Sequence, residues 1–119
     1  MVEHRPIMLQ VNDTQDLLVE DILMRDAPYW TFWMENVDRA EVRHVSIVNR
    51  RRPVSQDRTP HGLVDMSAFN TDGIDVSGSN VHIHDVEIWT QDDCIAVKVC
   101  PTYFCSCEVL ALLICFTLG

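Results

Sequence analysis

Four apolar positions recur along this chain with one internal spacing. Leu17, Val19, Ile22 and Met24 align with Ala40, Val42, Val45 and Ile47, and again with Val81, Ile83, Val86 and Ile88. The second set lies 23 residues after the first, and the third a further 41. Alternate side chains of a strand face the same way, so a pair two apart, a break and another pair suit one coil of a parallel solenoid. No 3.6-residue stripe survives beyond two turns before Val, Ile, Thr and aromatic residues intrude, which argues against helices. A second register runs beside the first. Trp30-Thr31-Phe32-Trp33 follows Met24 by the same interval that separates Cys94-Ile95-Ala96-Val97 from Ile88. This predicts a short strand in each coil and sets Trp33 in the inward register of Val97; Trp30 stays undecided between core and sugar stacking.

The surplus in the middle unit falls around Asn49 to Ala68, where Arg50-Arg51-Arg52-Pro53 and Thr59-Pro60-His61-Gly62 predict a loop extruded from the coil. The competing reading is an α+β domain with a few antiparallel strands. Asp72-Gly73 is the one Asx-Gly turn between plausible hairpin strands, so the solenoid is preferred.

At 119 residues the chain holds one domain, and 47% hydrophobic with 23% charged residues is enough for a packed core. A net charge of -9 excludes the basic footprint of a nucleic-acid binder. The apolar stretch Val109 to Leu118 has about half of the roughly 20 residues that span a bilayer, so no membrane partner is expected. Met1-Val2-Glu3-His4-Arg5-Pro6 lacks a basic start followed by an apolar run, so no signal peptide is read; the chain is intracellular or lacks its true beginning. Cys94, Cys100, Cys105, Cys107 and Cys115 crowd the end of the chain in odd number, and no disulfide framework can be read from them. Cys100-x4-Cys105-x-Cys107 is a weak thiol metal pattern with no His downstream.

The segments that carry chemistry are Asn70-Thr71-Asp72-Gly73-Ile74-Asp75-Val76 and Gln91-Asp92-Asp93-Cys94-Ile95-Ala96-Val97. Superposing Ile74 on Ile95 and Val76 on Val97 sets Asp72 against Asp93, about 4.8 Å apart on adjacent rungs, with Asp92 beside them. Carboxylates so close repel, and at least one should hold a proton near neutral or mildly acid pH. A protonated and an ionised carboxyl suit glycoside hydrolysis, in which inverting enzymes leave roughly 6.5 to 9.5 Å between donor and base. Ordinary alternation would aim Asp92 and Asp93 to opposite faces, so a bulge or turn at Asp92 is required. The plainer reading makes these aspartates corner residues bonding to backbone. A calcium site is a third reading, although six or more oxygen ligands are not evident.

Those two motifs in order, with Gly78-Ser79-Asn80-Val81 between them, resemble the family 28 glycoside hydrolases, the polygalacturonases, over about Arg5 to Lys98. The resemblance implies an all-β fold, a right-handed parallel β-helix, here partial, that hydrolyses α-1,4-galacturonosyl or related pectic linkages with inversion. It implies Asp92 as general acid, Asp72 and Asp93 as the pair that holds and activates water, and Asn70 and Gln91 as positioning residues. Cys94 reads as a buried packing residue. No cofactor and no metal are expected. The implied partner is pectic polysaccharide, and the full-length family member is expected to be a secreted or cell-wall monomer.

The family continues through coils bearing Gly-His-Gly and Arg-x-Lys motifs, which this sequence lacks. Residues 1–98 are therefore read as a partial β-helix domain and 99–119 as an aberrant or non-family tail, apolar, irregular and Cys-rich, outside the coil spacing. Without the His that would tune the acid and the Arg and Lys that would grip a galacturonate carboxylate, the resemblance implies no activity for this chain alone, and a partial solenoid with an open end predicts poor solubility. His82 and His84 alternate with Val81 and Ile83 and are read as outward and solvated rather than as metal ligands. Two rivals stay open, a β-helix that binds polysaccharide without cleaving it and a calcium-assisted pectate lyase-like enzyme.

Overall fold

The computed structural model describes residues 5–49, 71–98 and 109–117. They form β1 (Leu9–Asn12), β2 (Gln15–Arg25), β3 (Phe32–Val48), β4 (Ile74–Thr90), β5 (Ile95–Val97) and β6 (Val109–Thr117), with no helix among the described residues. Every pairing among the described residues is parallel. The first half of β3 pairs with β1 and the second half with β2, while β4 lies on the whole of β3 and carries β5 and β6 above. These strands make four stacked coils of a partial parallel β-helix: β1–β2, β3, β4 and β5–β6.

The register matches the sequence repeat residue for residue. Leu17, Val19, Ile22 and Met24 pair with Ala40, Val42, Val45 and Ile47, which pair in turn with Val81, Ile83, Val86 and Ile88. The break between the two apolar pairs is a corner. Asp21, His44 and Asp85, one per coil in a single column, all take positive φ there, and Asp16, Arg39 and Asn80 do the same one corner earlier. Asp and Asn tolerate this left-handed region better than other L-residues, so the chain can bend without ending its strand. The columns of the two middle coils are covered from both sides. Phe32, Met34, Val42, Ile47, Ile74, Val76, Ile83 and Ile88 are wholly enclosed, whereas in the end coils Val19 and Met24 are buried but Leu9, Val11, Ile95 and Ala111 are only half-buried and Val97 is exposed.

Two expectations need correction. Trp33 does not share the column of Val97: β3 pairs Phe32 with Ile74, Trp33 with Asp75 and Met34 with Val76, and β5 sets Val97 on Val76. The corner between Met24 and β3 is one residue longer than the corner between Ile88 and β5, so equal counting from the preceding strand slips the register by one and turns Trp33 to the opposite face. The tail, in turn, is not irregular throughout. Val109, Ala111, Leu113 and Cys115 stack on Val81, Ile83, Val86 and Ile88. Its spacing omits the corner residue, with a register shift between His84 and Val86, and Leu110, Leu112, Ile114 and Phe116 are apolar on the outer face too. Both features hide the alternation. The predicted loop beyond Asn49, Asn70, and the thiol pattern of Cys100, Cys105 and Cys107 lie outside the described residues.

Candidate active site

The acidic segments meet where β4 and β5 begin. Gly73 N–H donates to the Asp93 carbonyl at 2.9 Å and Ile74 N–H to the Cys94 carbonyl at 2.8 Å, so the two motifs stack in the register read from the sequence. One rung below, Thr31 N–H donates to the Asp72 carbonyl at 3.0 Å, which sets Trp30 in the same column as Asp72 and Asp93. The required turn is present. Residues 91–92 form a bend, and Asp93 N–H donates to Asp92 Oδ1 at 2.9 Å. The corner reading thus holds for one oxygen of Asp92. That local bond breaks the alternation and brings Asp72, Asp92 and Asp93 together, with one ligand oxygen from each lying within 4.8 Å of the others. Gln91 opens the bend and is half-buried.

Asp72 is 5% exposed. Burial first, then hydrogen bonding to Asp75 and the charges of Asp75 and Asp92, push its carboxyl up to about 7, against the opposing pull of Lys98. The cluster therefore retains a proton near neutral pH, as close carboxylates require. Three carboxylates, each offering a ligand oxygen, could share a cation.

Several residues that shape the site escaped the sequence reading. Asn49 is buried, accepts the Ala27 N–H at 2.9 Å and donates to Thr31 Oγ1 at 2.7 Å and to the Thr71 carbonyl at 3.0 Å; Thr90 Oγ1 donates to that carbonyl as well. This network pins the residue before Asp72. Asn49 and Thr90 continue the inward alternation of Ile47 and Ile88, so a polar residue in an apolar column was the available signal. Asp75 is 0% exposed. Neither of its oxygens has a hydrogen bond of ordinary geometry, and Lys98 Nζ stands 3.1 Å from Oδ1. Lys98 Nζ also lies 4.6 Å from the centre of the Trp30 ring, which stacks on Trp33 at 4.3 Å and Tyr29 at 5.3 Å. Cys94 packs in the core as expected, and it is joined to Cys115 by a disulfide.

His82 is exposed and His84 half-buried, both on the outer face. His84 bonds Glu41 and Asp85, each at 2.8 Å. A groove of about 830 Å3 runs beside them, between His44, Glu87 and Leu112. None of the three clustered aspartates lines it.

The model of the glycosyl hydrolases family 28 matches residues 2–105. Rhamnogalacturonase A of Aspergillus niger is 34% identical over 93 residues, 78% of this chain and 17% of that protein. Probable rhamnogalacturonase E of Aspergillus oryzae is 33% identical over 93 residues, covering 78% of this chain and 18% of that protein. Rhamnogalacturonase A of Aspergillus aculeatus is 33% identical over 91 residues, covering 76% and 17%. The chain thus spans less than a fifth of the length of these relatives. No solved structure gives a significant match.

Proposed function

The chain belongs to the glycosyl hydrolases family 28, and on that premise we propose that it is the acidic-site portion of an enzyme that hydrolyses the pectic backbone, with rhamnogalacturonan as substrate. The gathering of Asp72, Asp92 and Asp93 within 4.8 Å, at a bend that supplies the turn their alternation lacks, carries the reading. The choice of rhamnogalacturonan over polygalacturonate, the first expectation, rests on the names of the similar fungal proteins.

In the roles implied by the family, Asp92 gives its proton to the glycosidic oxygen as the bond to the anomeric carbon breaks. Asp72 and Asp93 hold a water, and the ionised carboxylate of that pair takes the water's proton as its oxygen bonds the same carbon from the opposite face. The configuration is inverted. Burial beside Asp75 and Asp92 raises the Asp72 carboxyl to about 7, so Asp72 keeps a proton at mildly acid pH. Trp30, in the column of Asp72 and Asp93, supplies an aromatic wall next to the acids. A disulfide fits an oxidising, extracellular compartment for the whole protein.

The test is a chimera in which residues 5–98 of this chain replace the matched stretch of the Aspergillus niger relative. It should release reducing ends from rhamnogalacturonan more readily than from polygalacturonate, with inverted products, and Asp92→Asn should abolish release. An unchanged rate with Asp92→Asn would overturn the site. Unsaturated products lost to a chelator would instead identify a lyase.

A further inference from the structure

Beyond the three clustered acids, the site contains a buried ion pair to which the family roles assign nothing. Asp75 alternates with the inward Ile74 and Val76, so its side chain leaves the coil on the face that carries the cluster, yet it is fully enclosed. An ionised carboxylate enclosed in such a place is costly unless a cation meets it. Lys98, just beyond β5, meets it at 3.1 Å and is itself 34% exposed. The Lys98 backbone N–H donates to the Val76 carbonyl at 2.8 Å, which fixes the residue one rung above Asp75, and the Trp30 ring bounds the ammonium from the rung below.

We propose that Asp75 and Lys98 are positioning residues for Asp72: Lys98 holds the enclosed Asp75 carboxylate, and Asp75 holds the Asp72 side chain in the cleft and determines when it carries a proton. The proposal rests on the reading of Asp72 as one of the reacting carboxyls. Among the described residues, the groups facing Asp72 are Asp75 from β4, Asp92 and Asp93 from the bend, and Lys98 from the end of β5; Trp30 and Thr31 on the rung below bring no charge. Among these, Asp75 and Asp92 favour the protonated form and Lys98 opposes it. Burial works against the Lys98 ammonium, but Asp75, Asp72 and Asp93 outweigh it and raise its pKa. Asp72 and Asp75 then titrate as a pair whose proton release is set from outside by one cation.

The test needs no substrate, so its failure is distinct from a failure of the hydrolase reading. Aspartate side-chain carboxyl signals are followed by carbon-detected NMR in the full chain across the acid-to-neutral range. Lys98→Met should move proton release from the Asp72–Asp75 pair to higher pH, Asp75→Asn should move Asp72 to lower pH, and Lys98→Arg should restore the parent curve. Two opposite shifts from two halves of one ion pair are not expected of a contact that only stabilises the coil. An unmoved Asp72 curve in either variant overturns the proposal. So does loss of the folded spectrum in both Lys98→Met and Asp75→Asn while Lys98→Arg folds, because the pair would then be structural only.

Discussion

Gly73 and Asp93 are joined across adjacent rungs by a 2.9 Å hydrogen bond from the Gly73 N–H to the Asp93 carbonyl. The bond ties the two acidic motifs at the backbone, so the approach of Asp93 to Asp72 is built into the ladder rather than left to side-chain rotamers. A small residue is needed there. A Cβ on Gly73 would lie 2.5 Å from the Cys94 carbonyl oxygen and 2.7 Å from Ile88 Cγ2.

Gly73→Ala should therefore destabilise the chain by about 1–3 kcal/mol, the usual cost of overpacking a filled site. One obstacle is backbone and cannot rotate away, so the start of β5 must lift. The expected result is a lower urea midpoint with an unchanged slope, together with shifted amide resonances at residues 92–95. An unaltered midpoint would mean that the coils are looser than the stacking indicates.

The proton on Asp72 makes stability depend on pH with a definite sign. Its folded pKa, about 7, stands above the ordinary 3.8, so between these values the unfolded chain has lost a proton that the folded chain keeps. The associated stability is full below 3.8 and is lost as pH rises toward 7. Asp75, also raised, acts in the same direction. Asp16 and Glu41, held low chiefly by hydrogen bonds from Arg39 and His84, lose their contribution on acidification instead. His84, raised chiefly by Glu41, loses its contribution as pH climbs through its folded pKa. The Asp72 share is isolated by subtraction: Asp72→Asn should remove roughly 2–4 kcal/mol of the decline across this window, read as unfolding free energy against pH for both proteins. Parallel curves would show that Asp72 titrates normally.

The column of Asp72 and Asp93 was legible because strand alternation has period two and the apolar spacing leaves one register that keeps Ile74 on Ile95 and Val76 on Val97. Corner length was not legible from those periods. It depends on how many residues the chain uses to turn, and that count shifted Trp33 onto the face of Asp75. The tail was lost for the opposite reason, since a strand apolar on both faces shows no alternation to read. Asp75 was also hidden. Its position marks it as leaving the core, and only the arrival of Lys98 and the neighbouring rungs encloses it.

Asn49 joins three segments through one side chain, and its loss should exceed that of a typical hydrogen bond. Replacement by Ala leaves the Ala27 N–H and the Nδ2 partners on Thr31 and Thr71 to find others in a buried corner. Asn49→Ala should cost about 2–4 kcal/mol, since each buried polar group left unmatched costs about 1–3. Asn49→Asp keeps an acceptor for Ala27 but turns an oxygen toward the Thr71 carbonyl, so it should be no better than Ala at neutral pH. Chemical unfolding of both variants decides the matter, and an Asp variant as stable as the parent would refute the donor role.

The disulfide between Cys94 and Cys115 holds the final strand where packing alone is weakest. The inward residues Val109, Ala111 and Leu113 are only half-buried, and β6 carries exposed Leu110, Leu112 and Ile114 outside. The crosslink ties β6 to the residue that follows Asp93, at a sequence separation of 21. Closing a loop of that size stabilises a fold by about 3 kcal/mol through the restricted unfolded chain. Reduction, or Cys115→Ser, should therefore lower global stability by about that amount. It should also release β6 first: its amides should exchange with solvent faster while those of β3, covered on both sides, keep their protection until global unfolding. Exchange measured residue by residue in oxidised and reduced chain separates the two effects. If β6 and β3 lost protection together, the last coil would be an integral part of one cooperative unit rather than a strand held on by its crosslink.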